Sequence, residues 1–130
     1  AKAAGAKRAI PLPVAGAYHS PLMQPAQAGL AEALASVELR EPSVPVYSNV
    51  TGKAHAGAAS IAGTMVDQVT SSVRWEACIR AMIADGVTRF IELGPGTALT
   101  GFMRRIDRGL EVLNVADNDS LAKSAEALNA

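Results

Sequence analysis

Hydrophobic positions recur along this chain with two periods, and the switches between them predict its elements. Lys7–Val14 reads as extended, and because Pro11 and Pro13 cannot donate to a ladder, the strand lies at a sheet edge or ends there. From Leu22 to Val37, residues Leu22, Ala26, Leu30, Ala33, Leu34 and Val37 share one face at helical spacing, with Pro25 confining the regular part to the residues after the first turn. Glu41-Pro42-Ser43-Val44-Pro45 is a stiff loop, Val46–Val50 a short apolar strand, and Asn49-Val50-Thr51-Gly52 the turn that closes it. Lys53–Ala59 reads as surface loop. Ser60 is placed to cap a helix from Ile61 to about Thr70, with Ile61, Met65, Val66 and Val69 inward.

The C-terminal half is more regular. Ser72 precedes a helix whose inner face is Trp75, Cys78, Ile79, Met82 and Ile83, and Gly86 supplies its C-terminal stop. Val87–Leu93 is β-rich, Gly94-Pro95-Gly96 turns it, Thr97–Ile106 is helical and Leu110–Ala116 is a further strand. Asp117-Asn118-Asp119-Ser120 leads into a last helix reaching about Leu128. Strands alternating with helices predict an α/β fold with parallel pairing.

Composition narrows the possibilities. Among 130 residues, 49% are hydrophobic, enough for a packed core and too many for a disordered chain. Twelve basic residues balance twelve acidic ones, which argues against nucleic acid as a main partner, since that binding rests on an excess of Lys and Arg. No apolar stretch is long enough to span a bilayer, and no signal-peptide layout is seen, so neither membrane nor export is expected. Cys78 is the single cysteine; with His19 and His55 far away in sequence it makes no metal spacing, and at a helix core position it reads as a buried thiol. A reducing cytoplasm or organelle matrix fits.

The candidate chemistry centres on His19, between an extended segment and Ser20-Pro21. Ser is a natural N-cap and Pro suits the first helical position, so the imidazole is expected at the positive end of a helix. That setting favours the neutral ring a general base requires. The alternative is a capping or half-buried histidine with no chemistry.

Pro13-Val14 followed by Tyr18-His19-Ser20 and Met23, ahead of an amphipathic helix, resembles the histidine segment of malonyl-CoA:acyl-carrier-protein transacylases. Three more segments follow in that family's order. Val44–Gly52 (VPVYSNVTG), Gln68–Trp75 (QVTSSVRW) and Phe90–Gly96 with Leu99-Thr100-Gly101 are each similar to a family motif. Together they span most of residues 7 to 106. The family's G-x-S-x-G nucleophile elbow has no counterpart here, Gly57-Ala58-Ala59-Ser60-Ile61 having the wrong spacing. The chain therefore reads as the C-terminal part of a transacylase, roughly its last two-fifths, and alone it is expected not to turn over.

The resemblance implies the C-terminal part of a hydrolase-like parallel-sheet acyltransferase domain, with one strand of a small ferredoxin-like subdomain at the N-terminus. Residues 1–16 would close that small subdomain and 17–130 belong to the large one. The activity implied is malonyl transfer from malonyl-CoA to acyl carrier protein through a serine acyl-enzyme, in fatty-acid or polyketide synthesis, with malonyl-CoA as substrate and no cofactor or metal. His19 would be the base, held by the main-chain carbonyl of Gln68, and the serine would come from the missing N-terminal part. A polyketide acyltransferase with Phe beside its histidine takes malonyl, so Tyr18 implies malonyl preference. A non-catalytic remnant or interaction module on the same scaffold is the alternative.

Each of these residues also has a plainer reading. Gln68 can be a polar helix-end residue, and Tyr18 can pack at a subdomain seam. Asn49 can hold the active-site loop and touch substrate, or form an Asx turn, the reading that local chemistry favours. Arg104, Arg105 and Arg108 sit near a helix C-terminus where cations are favourable, and are also candidates for docking an acidic carrier protein. Gly94-Pro95-Gly96 with Asp117 mimics a dinucleotide site, but Leu occupies position 99 where the fingerprint needs Gly.

Overall fold

A computed structural model describes residues 1–11 and 13–129. The chain is mixed α/β and divides into two compact units, one of Ala1–Glu41 with Gly57–Val73, the other of Pro42–Ala56 with Arg74 onward.

In the first unit, a 3₁₀ turn at Pro21–Met23 leads into α1 (Pro25–Ala35), and α2 (Ala58–Gln68) packs against it. Pro25 stands at the first helical position, where its missing N–H costs nothing. The half-buried face of α1 is Gln27, Leu30 and Leu34, continued back by Met23 of the turn, while Leu22 is 78% exposed and Val37 52% and Ala26 and Ala33 are exposed too, so four of the six residues expected inward are not. Small side chains let the helices approach: Ala31, Leu34 and Ala35 face Ala62, Gly63 and Val66 across a shallow recess. α2 starts three residues before the expected Ile61. The reason is distant in sequence: the Glu41 carboxylate accepts the Ala58 N–H at 2.8 Å and caps the helix in place of Ser60. Gly57, at φ 133°, makes the turn into it.

The expected strand at Lys7–Val14 does not form among the described residues; Leu12 lies outside them. A strand needs a ladder partner, no described residue pairs with this stretch, and Pro11 and Pro13 have no N–H to offer.

In the second unit, β1 (Tyr47–Ser48) pairs antiparallel with β2 (Lys53–Ala54), so part of the segment read as loop is a hairpin strand. α3 (Trp75–Ala84) buries Cys78 and Ile79 and ends at Gly86, φ 93°, as its spacing predicts. β3 (Arg89–Leu93) and β4 (Glu111–Val115) pair in parallel, Arg89 opposite Glu111 through Leu93 opposite Val115. A parallel pair needs a crossover, which α4 (Ala98–Ile106) provides, and α5 (Asn118–Asn129) comes after β4. Ile79 and Met103, each 2% exposed, form the centre with Cys78.

Two carboxylates tie strand ends to helix starts. Glu92 accepts the N–H groups of Leu99 and Thr100 at 3.0 and 2.9 Å and the Thr100 hydroxyl at 2.6 Å. Asp117 accepts the Ser120 N–H at 2.8 Å while the Ser120 hydroxyl takes the Asp117 N–H at 2.9 Å, a reciprocal cap on α5. The side-chain bond from Thr100 leads in holding Glu92 below the ordinary carboxylate range, and that from Ser120 does the same for Asp117. A group depressed in the folded state stabilises above its unfolded value and stops doing so as pH falls through the folded one. The urea midpoint should therefore drop on acidification below about pH 4, and Glu92→Gln should flatten that drop. An unchanged pH dependence in Glu92→Gln would count against the assignment.

Candidate functional site

His19 is placed by a tight turn rather than by a long helix. The Ser20 hydroxyl donates to the Ala17 carbonyl at 2.7 Å, folding Ala17–Ser20 back on itself. Within that turn His19 has φ 58°, the one non-glycine residue with positive φ among those described. Histidine enters this left-handed region more readily than most residues, and such positions gather at functional sites. Ser20 is the residue before the Pro21–Met23 turn, as expected, but its side chain caps nothing. A three-residue 3₁₀ turn has too few aligned peptides to act as a macrodipole, so the expected dipole at His19 does not arise.

A main-chain carbonyl holds the ring. His19 Nδ1 lies 2.9 Å from the main-chain oxygen of Gln68, 49 residues later. Gln68 ends α2, so its carbonyl is among the last four with no intrahelical donor. A carbonyl only accepts, which puts a proton on Nδ1, so that in the neutral ring the lone pair is on Nε2. The Gln68 side-chain amide also passes Nδ1, at 3.4 Å, but it donates to the Ser71 carbonyl at 2.9 Å. The shorter contact to the obligate acceptor decides the tautomer. His19 itself is exposed.

Tyr18 precedes it with its ring over Gly16, where an added Cβ would come within 3.3 Å of Cζ. Tyr18 is 61% exposed. Gln27, which no sequence signal marked, donates from α1 to the Val66 carbonyl at 3.1 Å and the Thr70 hydroxyl at 3.3 Å. The only hint was a polar residue at a half-buried helical position.

The remaining candidates belong to the second unit. Asn49 does not make the Asx turn that local chemistry favours. Its Oδ1 lies 3.6 Å from the Cys78 sulfur and its carbonyl accepts the Arg74 N–H at 2.9 Å, while the hydroxyls of Ser48 and Thr51 accept the Val50 and Lys53 N–H groups, each at 3.2 Å. Ser and Thr do the turn chemistry here because Asn49 is turned toward α3. Burial pushes the Cys78 thiol up, away from the thiolate form that reacts. Arg104 and Arg105 end α4 and Arg108 comes just after it, all exposed. Asp117 caps α5. Among the described residues, no group of three or more His, Cys, Asp or Glu is placed to hold a metal ion, and no helix is long and apolar enough to cross a membrane. An apolar cavity of about 220 Å³ between α3, β3 and α4, lined by Trp75, Ile79, Met82, Phe90, Leu99 and Met103 among others, contains none of the candidate residues.

No family model matches the chain. Along 98% of its length it is 41% identical to the malonyl CoA-acyl carrier protein transacylase of Bacillus subtilis, of which it spans 40%. The crystal structure of the corresponding protein from Streptococcus pneumoniae, named MCAT, superposes with a TM-score of 0.92 at 37% identity, over 97% of this chain and 41% of that one. A malonyl-transacylase solved in complex with its type II polyketide acyl-carrier protein gives 0.89 at 40% identity, over 97% and 41%. The chain thus spans about two-fifths of the length of the relatives it matches.

Proposed function

Because the chain is homologous to the C-terminal portion of malonyl CoA-acyl carrier protein transacylases, we propose that it supplies the general-base half of a malonyl transfer from malonyl-CoA to acyl carrier protein. The observation that carries the reading is the 2.9 Å contact between His19 Nδ1 and the Gln68 carbonyl. It supports the tautomer in which Nε2 can act as a base, the task an Asp carboxylate performs in hydrolase triads. A neutral carbonyl orients the ring, and the end of α2 adds the partial negative charge of its terminal carbonyls.

In this scheme a serine from the rest of the enzyme lies against Nε2. As its oxygen attacks the malonyl thioester carbon, Nε2 takes the hydroxyl proton. The C–S bond then breaks, and imidazolium returns that proton to the departing coenzyme A thiolate. In the second half the thiol of the carrier protein's prosthetic arm gives its proton to Nε2 and attacks the malonyl ester, and the serine oxygen leaves with the proton. Tyr18, beside the base, narrows the space for the acyl group; Asn49 and the arginines 104, 105 and 108 would serve substrate and carrier protein. Residues 1–16 would end a small subdomain, with the remainder in the large one.

Joining this chain to the preceding three-fifths of the Bacillus subtilis relative tests the proposal. The joined protein should move labelled malonyl from malonyl-CoA to carrier protein, while the 130 residues alone should gain no malonyl group on any serine by intact mass. A folded joined protein without transfer would favour a non-catalytic module. A stoichiometric adduct on Ser20 or Ser60 of the chain alone would also overturn the scheme.

A further inference from the structure

We infer that Gln27 is a positioning residue for His19, setting the geometry of the base through the two helices that carry it and its acceptor. The inference deepens the reading of His19 as a base and, for its effect on transfer, rests on that reading. The two contacts of Gln27 bracket the critical carbonyl: Val66 lies two residues before Gln68 and Thr70 two after it. On its own side, Gln27 is in the first turn of α1, and the eight residues back to His19 include Pro21 and Pro25, whose fixed φ makes the connection stiff. Pinning Gln27 to the end of α2 therefore fixes where His19 enters.

A clamp matters because small side chains dominate the recess between the helices, with Leu34 and Val66 as the larger ones lining it. Ala31, Ala35, Ala62 and Gly63 allow close approach and leave few knobs to set the rotation or slide of one helix on the other. The end of α2 is also wound tight: Val69 N–H bonds to the Val66 carbonyl at 3.2 Å and Thr70 N–H to Asp67 at 3.3 Å. Such long terminal bonds fray readily, and a donor from α1 onto the same Val66 oxygen holds the turn that presents the Gln68 carbonyl. A displacement of about 1 Å there breaks the 2.9 Å contact and releases the ring to its other tautomer.

Gln27→Met keeps length and packing and removes the donor; Gln27→Glu keeps shape and polarity but cannot donate to a carbonyl. In ¹⁵N spectra of the full chain, the His19 ring should change from an Nδ1-protonated pattern toward the mixture of a free imidazole in both variants, with the His55 ring unmoved as an internal control. Thr70→Val, which removes only the longer contact, should give a smaller change in the same direction. In the joined enzyme, Gln27→Met should lower kcat by about 10- to 100-fold with KM little altered, the effect of misplacing a catalytic group rather than losing a binding one. A folded variant with a wild-type His19 ring spectrum would overturn the inference, as would an equal change at His55. If the ring changes as stated while His19→Ala leaves transfer intact, the positioning stands and the assignment of the base falls.

Discussion

Replacing Tyr18 with Ser should raise methylmalonyl relative to malonyl transfer by about 10- to 200-fold in the ratio of kcat/KM, measured by competition of the two acyl-CoA donors in the joined enzyme. The bound is the value of fitting or excluding one methyl group in an apolar space, and the change should come as relief of exclusion, with the malonyl rate little affected. The structure sharpens the contrast with a purely structural role. A residue 61% exposed, with its ring lying over Gly16, contributes little to a core, so its loss should cost little stability. If the ring mattered only for packing, both donors would suffer alike and the thermal midpoint would fall with them. An unchanged ratio would remove Tyr18 from substrate choice.

Most of the second unit was legible because its signals were local. β3 and β4 are short β-rich runs bounded by Gly94-Pro95-Gly96 and Asp117–Ser120, and α3 ends where Gly86 permits a positive φ. Where the cause was distant, the sequence was silent. α2 begins early because Glu41, 17 residues before Ala58, caps it. β2 is two residues, Lys53 and Ala54, whose strand character comes only from pairing with β1. Leu22, Val37 and Leu93 carry the apolar pattern yet are exposed, since periodicity reports a side chain's character and not the presence of something to pack on.

The candidate site divides in the same way. His19 stood out by its neighbours, but its pairing with a carbonyl 49 residues away came from the resemblance and not from spacing. The left-handed conformation of His19 had no signal, because histidine, unlike glycine, does not advertise positive φ. Gln27 was hidden for a related reason: one polar residue on a half-buried helical face reads as ordinary until its acceptors on α2 are seen.

His19→Ala should lower malonyl transfer by roughly 10²–10⁴-fold, the usual contribution of a general base. The side chain is exposed and its described hydrogen-bond partner is Gln68, so the fold should survive the change. Alanine at φ 58° is less comfortable than histidine, and His19→Asn, which tolerates that region, controls for the backbone. Both variants should still bind malonyl-CoA, because the base acts on the proton of the nucleophile and not on the resting substrate. The loss should thus fall on kcat in both. The most direct measurement is a single turnover of the joined enzyme with excess malonyl-CoA, tracking the malonyl ester on the serine by quenched-flow mass spectrometry. The account predicts that this first acylation slows by roughly 10²–10⁴-fold in His19→Ala and His19→Asn alike. Acylation at the wild-type rate in either folded variant would contradict it.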